Sequence, residues 1–216
     1  MGRKWKVFTF IKNDPLIEQA IFNSVQNNRL FSIRDECLYF KSDFHKEEVL
    51  NLEISLITDF EKLNNIIVKL IEIAHEEIIN IKTSQEYEDQ DYSIQFSGKI
   101  EGIVNGLLHK ACYTSISVID FAIILFVRIA RAHAWRNGNK RTSIVSLSKI
   151  LSLFGFALKW VNTTSNYTEQ YEKLVLDIVA PKDKDYEESK LTEQEAIQLV
   201  KTKIRNSIWI NYNNIR

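Results

Sequence analysis

The sequence predicts a mainly α-helical protein with a small N-terminal α+β appendage. Three observations carry that expectation. Among 216 residues only six are Gly and two are Pro, where average usage would supply about fifteen and about eleven. A β-sandwich or barrel needs a turn every 8–12 residues or so and is disfavoured by that shortage. From Asp59 onward, apolar residues recur at helical spacing, which marks amphipathic helices. Finally, Ser117–Ala134 is apolar nearly all round in its first part, as a buried central helix must be. The length suits one or two domains, and the expected division is 1–57 for the appendage and 58–216 for the helical part.

Taken in order, Trp5–Ile11 is rich in aromatic and β-branched residues and reads as a strand. Asp14-Pro15 follows as a helix N-cap with Pro at the first helical position, and Leu16, Ala20, Ile21 and Val25 continue at helical spacing. Leu30–Ile33 and Cys37–Phe40 flank Arg34-Asp35-Glu36 as a hairpin whose turn lacks Gly or Asn. Leu63, Ile66, Ile67, Leu70, Ile71, Ile73 and Ala74 form a wide stripe running on to Ile81. The acidic stretch Thr83–Asp91 reads as a loop, and Tyr92–Phe96 as a short strand or flap, with target docking and a plain surface loop as its two readings. Gly98, Gly102 and Gly106 would share a helix face. Each weakens a helix by about 1 kcal/mol relative to Ala, so either another backbone approaches that face or the segment is broken. Thr142–Phe154 reads as a helix stopped by Gly155, Tyr167–Val179 as another, and Pro181–Lys190 as a charged connection. Thr192–Ile208 opens on Thr192-x-x-Glu195, a capping-box pattern.

The 28 Lys and Arg balance 28 Asp and Glu, which weakens any case for bulk attraction to nucleic acid or an anionic membrane. Cys37 and Cys112 form no metal-ligand or redox spacing. No signal peptide and no run long enough to cross a bilayer stand out. The expectation is a reduced, cytoplasmic protein that binds neither nucleic acid nor membrane.

One segment departs from this balance. Between Phe121 and Thr168 there is no Asp or Glu, yet there are seven cations: Arg128, Arg131, Arg136, Lys140, Arg141, Lys149 and Lys159. Charge runs are usually solvated faces, but the local order here is unusual. Arg131–Thr142 reads RAHAWRNGNKRT. His133 closes the buried helix, and Gly138, Asn139, Lys140 and Arg141 open the next. A helix N-terminus presents unpaired N–H groups and a positive dipole end that suit anions. Gly138 permits close backbone approach, and Lys140 and Arg141 add full charge. The set suits a polyphosphate with a histidine beside it as general base, although a lone histidine is more often structural.

The stretch His133–Thr142 resembles the signature of Fic/Doc proteins, His-x-Phe-x-acid-Gly/Ala-Asn-Gly/Lys-Arg. Lys140 stands where Fic AMP-transferases usually carry Gly, and Ile144 where they usually carry a final Arg. Both departures resemble the Doc (death-on-curing) toxin branch. The resemblance covers about Asp59–Ile208 and leaves Met1–Ser55 unexplained. It implies a compact helical bundle and an ATP-dependent transferase. Doc-like toxins move the terminal phosphoryl group of ATP to a threonine of elongation factor Tu and halt translation, while Fic relatives transfer AMP to protein hydroxyls. It also implies a cognate antitoxin. Carried over, His133 is the base; Asn139, Lys140, Arg141 and the Gly138 backbone hold phosphates; Trp135, replacing the family Phe, anchors the loop; and Arg131 is a further candidate for phosphate or target contact.

Asn137 stands where the family has Asp or Glu, the usual Mg²⁺ ligand. An amide oxygen coordinates a hard cation without bringing charge. Three outcomes follow: weakened catalysis, Mg²⁺ held through phosphates and a remote acid, or a nucleotide-binding interaction module. Ser97-Gly98-Lys99-Ile100-Glu101-Gly102 also matches the inhibitory-helix pattern of self-restrained Fic enzymes. There the Glu, here Glu101, pairs with the final Arg that Ile144 replaces.

Overall fold

The structure, a computed structural model, describes residues 2–41, 47–80, 91–159, 167–179 and 191–215. The N-terminal part is a four-stranded sheet with one helix. Strand β1 (Arg3–Thr9) leads to α1 (Pro15–Asn27), then β2 (Phe31–Arg34), β3 (Cys37–Phe40) and β4 (Glu48–Leu56). The strand order is β1-β4-β3-β2, with β1 and β4 parallel over Arg3↔Leu50 to Thr9↔Leu56 and the other pairs antiparallel. The Asp14 carboxylate caps α1 by accepting from Leu16 N–H. The β2–β3 turn is made by Asp35 and Glu36, both at positive φ (49° and 62°). Two residues at positive φ define the type I′ turn that matches strand twist, and Asp is among the residues tolerated there.

The helical part comprises α2 (Phe60–Asn80), α3 (Lys99–Tyr113), α4 (Val118–Ala132), α5 (Asn139–Phe154), α6 (Tyr167–Val179) and α7 (Glu193–Ile204). Helix α4 is the axis of the bundle. Twelve of its residues are buried, because α3, α5, α6 and α7 all pack around it. Ser117 caps it, and Thr192 and Glu195 form the capping box of α7. No helix among the described residues is long and apolar enough to cross a membrane. Cys37 and Cys112 are both free and exposed.

Sheet and bundle share one apolar core. Trp5, Val7 and Thr9 of β1 are fully buried against the bundle, and the Trp5 indole donates to the Gly155 carbonyl at 2.9 Å. Gly155 ends α5 at φ 102°, and a Cβ there would lie 2.6 Å from the Lys6 carbonyl oxygen. The close approach of β1 therefore requires glycine. The chain ends are joined as well. After Gly155, β5 (Phe156–Leu158) pairs with β6 (Ile208–Ile210), and Asn23 of α1 donates to the Arg205 and Ile208 carbonyls.

The structure departs from the sequence expectations at three places. Strand β4 is an addition; its apolar residues Leu50, Leu52, Ile54 and Leu56 alternate, but all except Leu50 are half-exposed. The last helix ends at Ile204 rather than Ile208, because Ile208–Ile210 pairs with β5 instead. The residues just after Gly155, Phe156–Leu158, form the partner strand β5. Gly102 and Gly106 face open space, with nothing within 4 Å of where a Cβ would stand, so no backbone approaches that face of α3 among the described residues. The 83–90 part of the acidic stretch and the 181–190 connection lie outside the described residues.

Candidate active site

Helix α4 ends on His133, whose φ of 49° turns the chain sharply out of the helix. The loop 134–137 crosses to Gly138 at φ 86°, which opens α5. A side chain at Gly138 would sit 3.0 Å from the Tyr92 ring, so a residue without a Cβ suits this turn twice over. The segment 92–96 runs antiparallel to the loop. Gln95 and Phe96 N–H groups donate to the Ala134 carbonyl, and Arg136 N–H donates to the Ser93 carbonyl. That pattern leaves the Trp135 N–H and C=O facing away from the flanking segment. The Asn139 side chain satisfies both, donating to the Trp135 carbonyl at 2.6 Å and accepting from its N–H at 3.1 Å.

Beneath the loop lies a residue that the motif does not contain. His75 of α2 is 6 % exposed and stacks on Trp135 at 4.2 Å between ring centroids, with 17° between planes. Its Nε2 is 3.0 Å from the Tyr92 carbonyl oxygen, which only accepts, so Nε2 carries the proton. Nδ1 then accepts from the Thr142 hydroxyl at 3.0 Å. Burial pushes the His75 pKa below its ordinary value. The signal was present in the sequence, since Ile71, Ala74, His75 and Ile78 fall on one buried helix face.

Above the loop is a cleft of about 310 Å³ lined by Ala130, His133, Arg136, Asn137, Gly138, Asn139, Lys140, Arg141 and Val179. His133 and Lys140 are exposed into it, and α5 has no acidic residue in its first turn. The N–H groups of that first turn lack intrahelical partners. No carboxylate lines the cleft among the described residues. Seven of the sequence-predicted positions thus meet in one place: His133, Asn137, Gly138, Asn139, Lys140, Arg141 and, buried just behind, Trp135. Two qualifications concern side chains. The Asn139 amide is occupied by Trp135, so what this residue offers the cleft is its backbone. Arg141 donates to the Tyr92 hydroxyl at 2.9 Å.

Arg131 is placed elsewhere. Its guanidinium donates to the Ile178 and Leu191 carbonyls, both at 2.8 Å, tying α6 and the start of α7 to the bundle. Glu101 is exposed on α3 and does not line the cleft. Asn137 donates through Nδ2 to the Asp91 carbonyl at 2.8 Å, and Arg136 pairs with the Asp91 carboxylate at 3.2 Å. The motif therefore offers a hard cation one neutral amide oxygen. No group of three or more His, Cys, Asp and Glu converges among the described residues. Among the described residues, the donors at the cleft do not fit Mg²⁺, which prefers carboxylates.

A helical bundle with a histidine and an anion-receptive helix N-terminus at one cleft describes a class of group-transfer protein. A family model described as the Fic/DOC family matches residues 43–151, just over half of the chain, and the protein belongs to that family. Members of it generally transfer nucleotide-derived groups to proteins. No curated protein and no solved structure matches the chain.

Proposed function

We propose that this protein is a Doc-like phosphotransferase that moves the terminal phosphoryl group of ATP to a hydroxyl on a protein, with a threonine of elongation factor Tu as the expected acceptor and a cognate antitoxin as its restraint. The observation that carries this reading is the position of Lys140. It stands in the first turn of α5, exposed in the same cleft as His133. AMP-transferases of the family usually have glycine there, and a lysine adds charge where the phosphate chain would lie.

In this reading the neutral His133 imidazole takes the proton from the acceptor hydroxyl as its oxygen bonds to the terminal phosphorus. The bridging P–O bond breaks and ADP leaves. Lys140, Arg141 and the backbone N–H groups at the start of α5 balance the charge on the phosphates. Transfer of this kind depends mostly on positioning and charge neutralisation, which is what these residues supply. His133 is held at the helix end by its own backbone turn, and Trp135 and Asn139 keep the loop beneath it rigid.

Incubation with ATP labelled at the γ or the α position, in a bacterial lysate, tests the proposal. Protein label from γ-labelled ATP alone is expected. Label from the α position would instead mean AMP transfer, and label from neither would mean an interaction module. His133→Asn should remove the signal; if it does not, His133 is not the base.

A further inference from the structure

The structure sorts the seven cations of the acid-free segment into two groups. Arg128 pairs with Glu193 and Lys149 with Glu77, at 2.8 and 2.7 Å. Arg131 holds two carbonyls, and Lys159 lies over the Trp209 and Tyr212 rings. These four serve the fold. The other three, Arg136, Lys140 and Arg141, line the cleft with His133. At the position where a metal-binding acid would stand, the chain has neutral Asn137, and its amide nitrogen is directed to the Asp91 carbonyl. The Asp91 carboxylate does not line the cleft. It accepts from Ser93 N–H at 2.9 Å and faces the Arg136 guanidinium. Arg136, which lines the cleft, thus holds this acid in an ion pair.

From this disagreement between the donor set and a divalent cation, we infer that the cleft takes its polyphosphate ligand free of metal, with Arg136, Lys140 and Arg141 supplying the charge that a magnesium ion would otherwise bring. The inference rests on the phosphate-binding reading of the cleft. Guanidinium and ammonium groups neutralise phosphate oxygens through charge-assisted hydrogen bonds. A free polyphosphate, carrying more negative charge than its magnesium complex, is then the better ligand. Magnesium in solution acts as a competitor by sequestering the nucleotide. Arg136 is the specific substitute, because it flanks the position that the missing acid would occupy and its carboxylate partner is half-exposed, where such pairs are weak.

Calorimetric titration of the full chain with ATP tests this in two buffers of matched ionic strength, one with EDTA and one with excess Mg²⁺. The expected result is binding in EDTA at least as tight as in Mg²⁺. Arg136→Gln should weaken the EDTA affinity by about tenfold, the loss of one charge-assisted contact, with Arg136→Lys recovering part of it. Asn137→Asp should reverse the order, so that Mg²⁺ now strengthens binding. Wild-type binding tighter by tenfold or more in Mg²⁺ would overturn the inference, as would an Arg136→Gln variant that keeps its fold by circular dichroism and loses nothing in EDTA. Absence of ATP binding in both buffers would instead sink the phosphate reading itself, and the inference with it.

Discussion

The side-chain amide of Asn139 brackets the backbone of Trp135, giving a hydrogen bond to its carbonyl and taking one from its N–H. It does for this loop what a neighbouring strand would do, since the segment 92–96 bonds only the residues on either side. An asparagine at the first position of a helix thereby sets the path by which the chain leaves His133 and reaches the cleft.

Asn139→Ala removes both bonds and leaves two buried backbone groups unpartnered. A loss of about 2–4 kcal/mol is expected, read as a lower denaturation midpoint. Asn139→Asp keeps only an acceptor and sets a carboxylate oxygen against the Trp135 carbonyl, so it too should be less stable than wild type. Equal stability of wild type and Asn139→Ala would show that the bracket does not hold the loop.

The buried His75 makes stability depend on pH. In the unfolded chain its imidazole titrates near its ordinary value of 6.5, and folding moves it lower. Between the two values the unfolded chain binds more protons, so stability rises with pH across that window and is complete above it. Acidifying from neutral pH through the window should therefore destabilise the protein. His75→Gln should flatten this slope, though it also loses the stacking on Trp135. An unchanged slope in chemical denaturation at several pH values would remove His75 as the cause.

Arg131 is expected to matter for folding and not for the ligand. Arg131→Met deletes two charged hydrogen bonds to carbonyls, one at the C-terminal end of α6. The expected cost is about 2–3 kcal/mol, with ATP affinity unchanged. The reverse pattern, in which stability holds and affinity falls, would place its guanidinium on the phosphates after all.

Asp14 caps α1 and also accepts from Val118 N–H at the start of α4, at 3.4 Å. Burial pushes its pKa up, so the charged form is penalised at neutral pH. Asp14→Asn should keep the cap but lose the long bond from Val118 N–H, because its amide nitrogen cannot accept, at a cost of about 0.5–1 kcal/mol. Asp14→Ala should lose about 1–2 kcal/mol. Equal thermal stability of the two variants would show that the cap contributes nothing measurable.

Helices α1, α2, α4, α5, α6 and α7 are legible in the sequence because their signals are local: apolar residues at helical spacing, Asp14-Pro15, the Thr192–Glu195 box, and Gly155 as a stop. Strand β4 is not, since its partner β1 lies about 47 residues earlier in the register and its alternating face is only half covered. The start of β6 is also hidden, because Ile208 reads as the end of the last helix and only pairing with β5 makes Ile208–Ile210 a strand. The glycine spacing on α3 is legible, but not what lies beside it.

A helical protein with an acid-free, cation-rich turn between two helices is legible from local order alone, because residues 131–142 are consecutive and carry the candidate site's charge in sequence. Which contacts each of those residues makes depends on packing across the fold. It withdrew Arg131 to tie α6 and α7, turned the Asn139 amide inward and engaged Arg141 with Tyr92. It also set His75 beneath the loop and Asp91 behind Arg136. His75, Asp91 and Tyr92 come from α2 and the segment after it, and the Ile178 and Leu191 carbonyls from α6 and the start of α7; groups so distant in sequence meet only when burial of the shared apolar core brings their helices together.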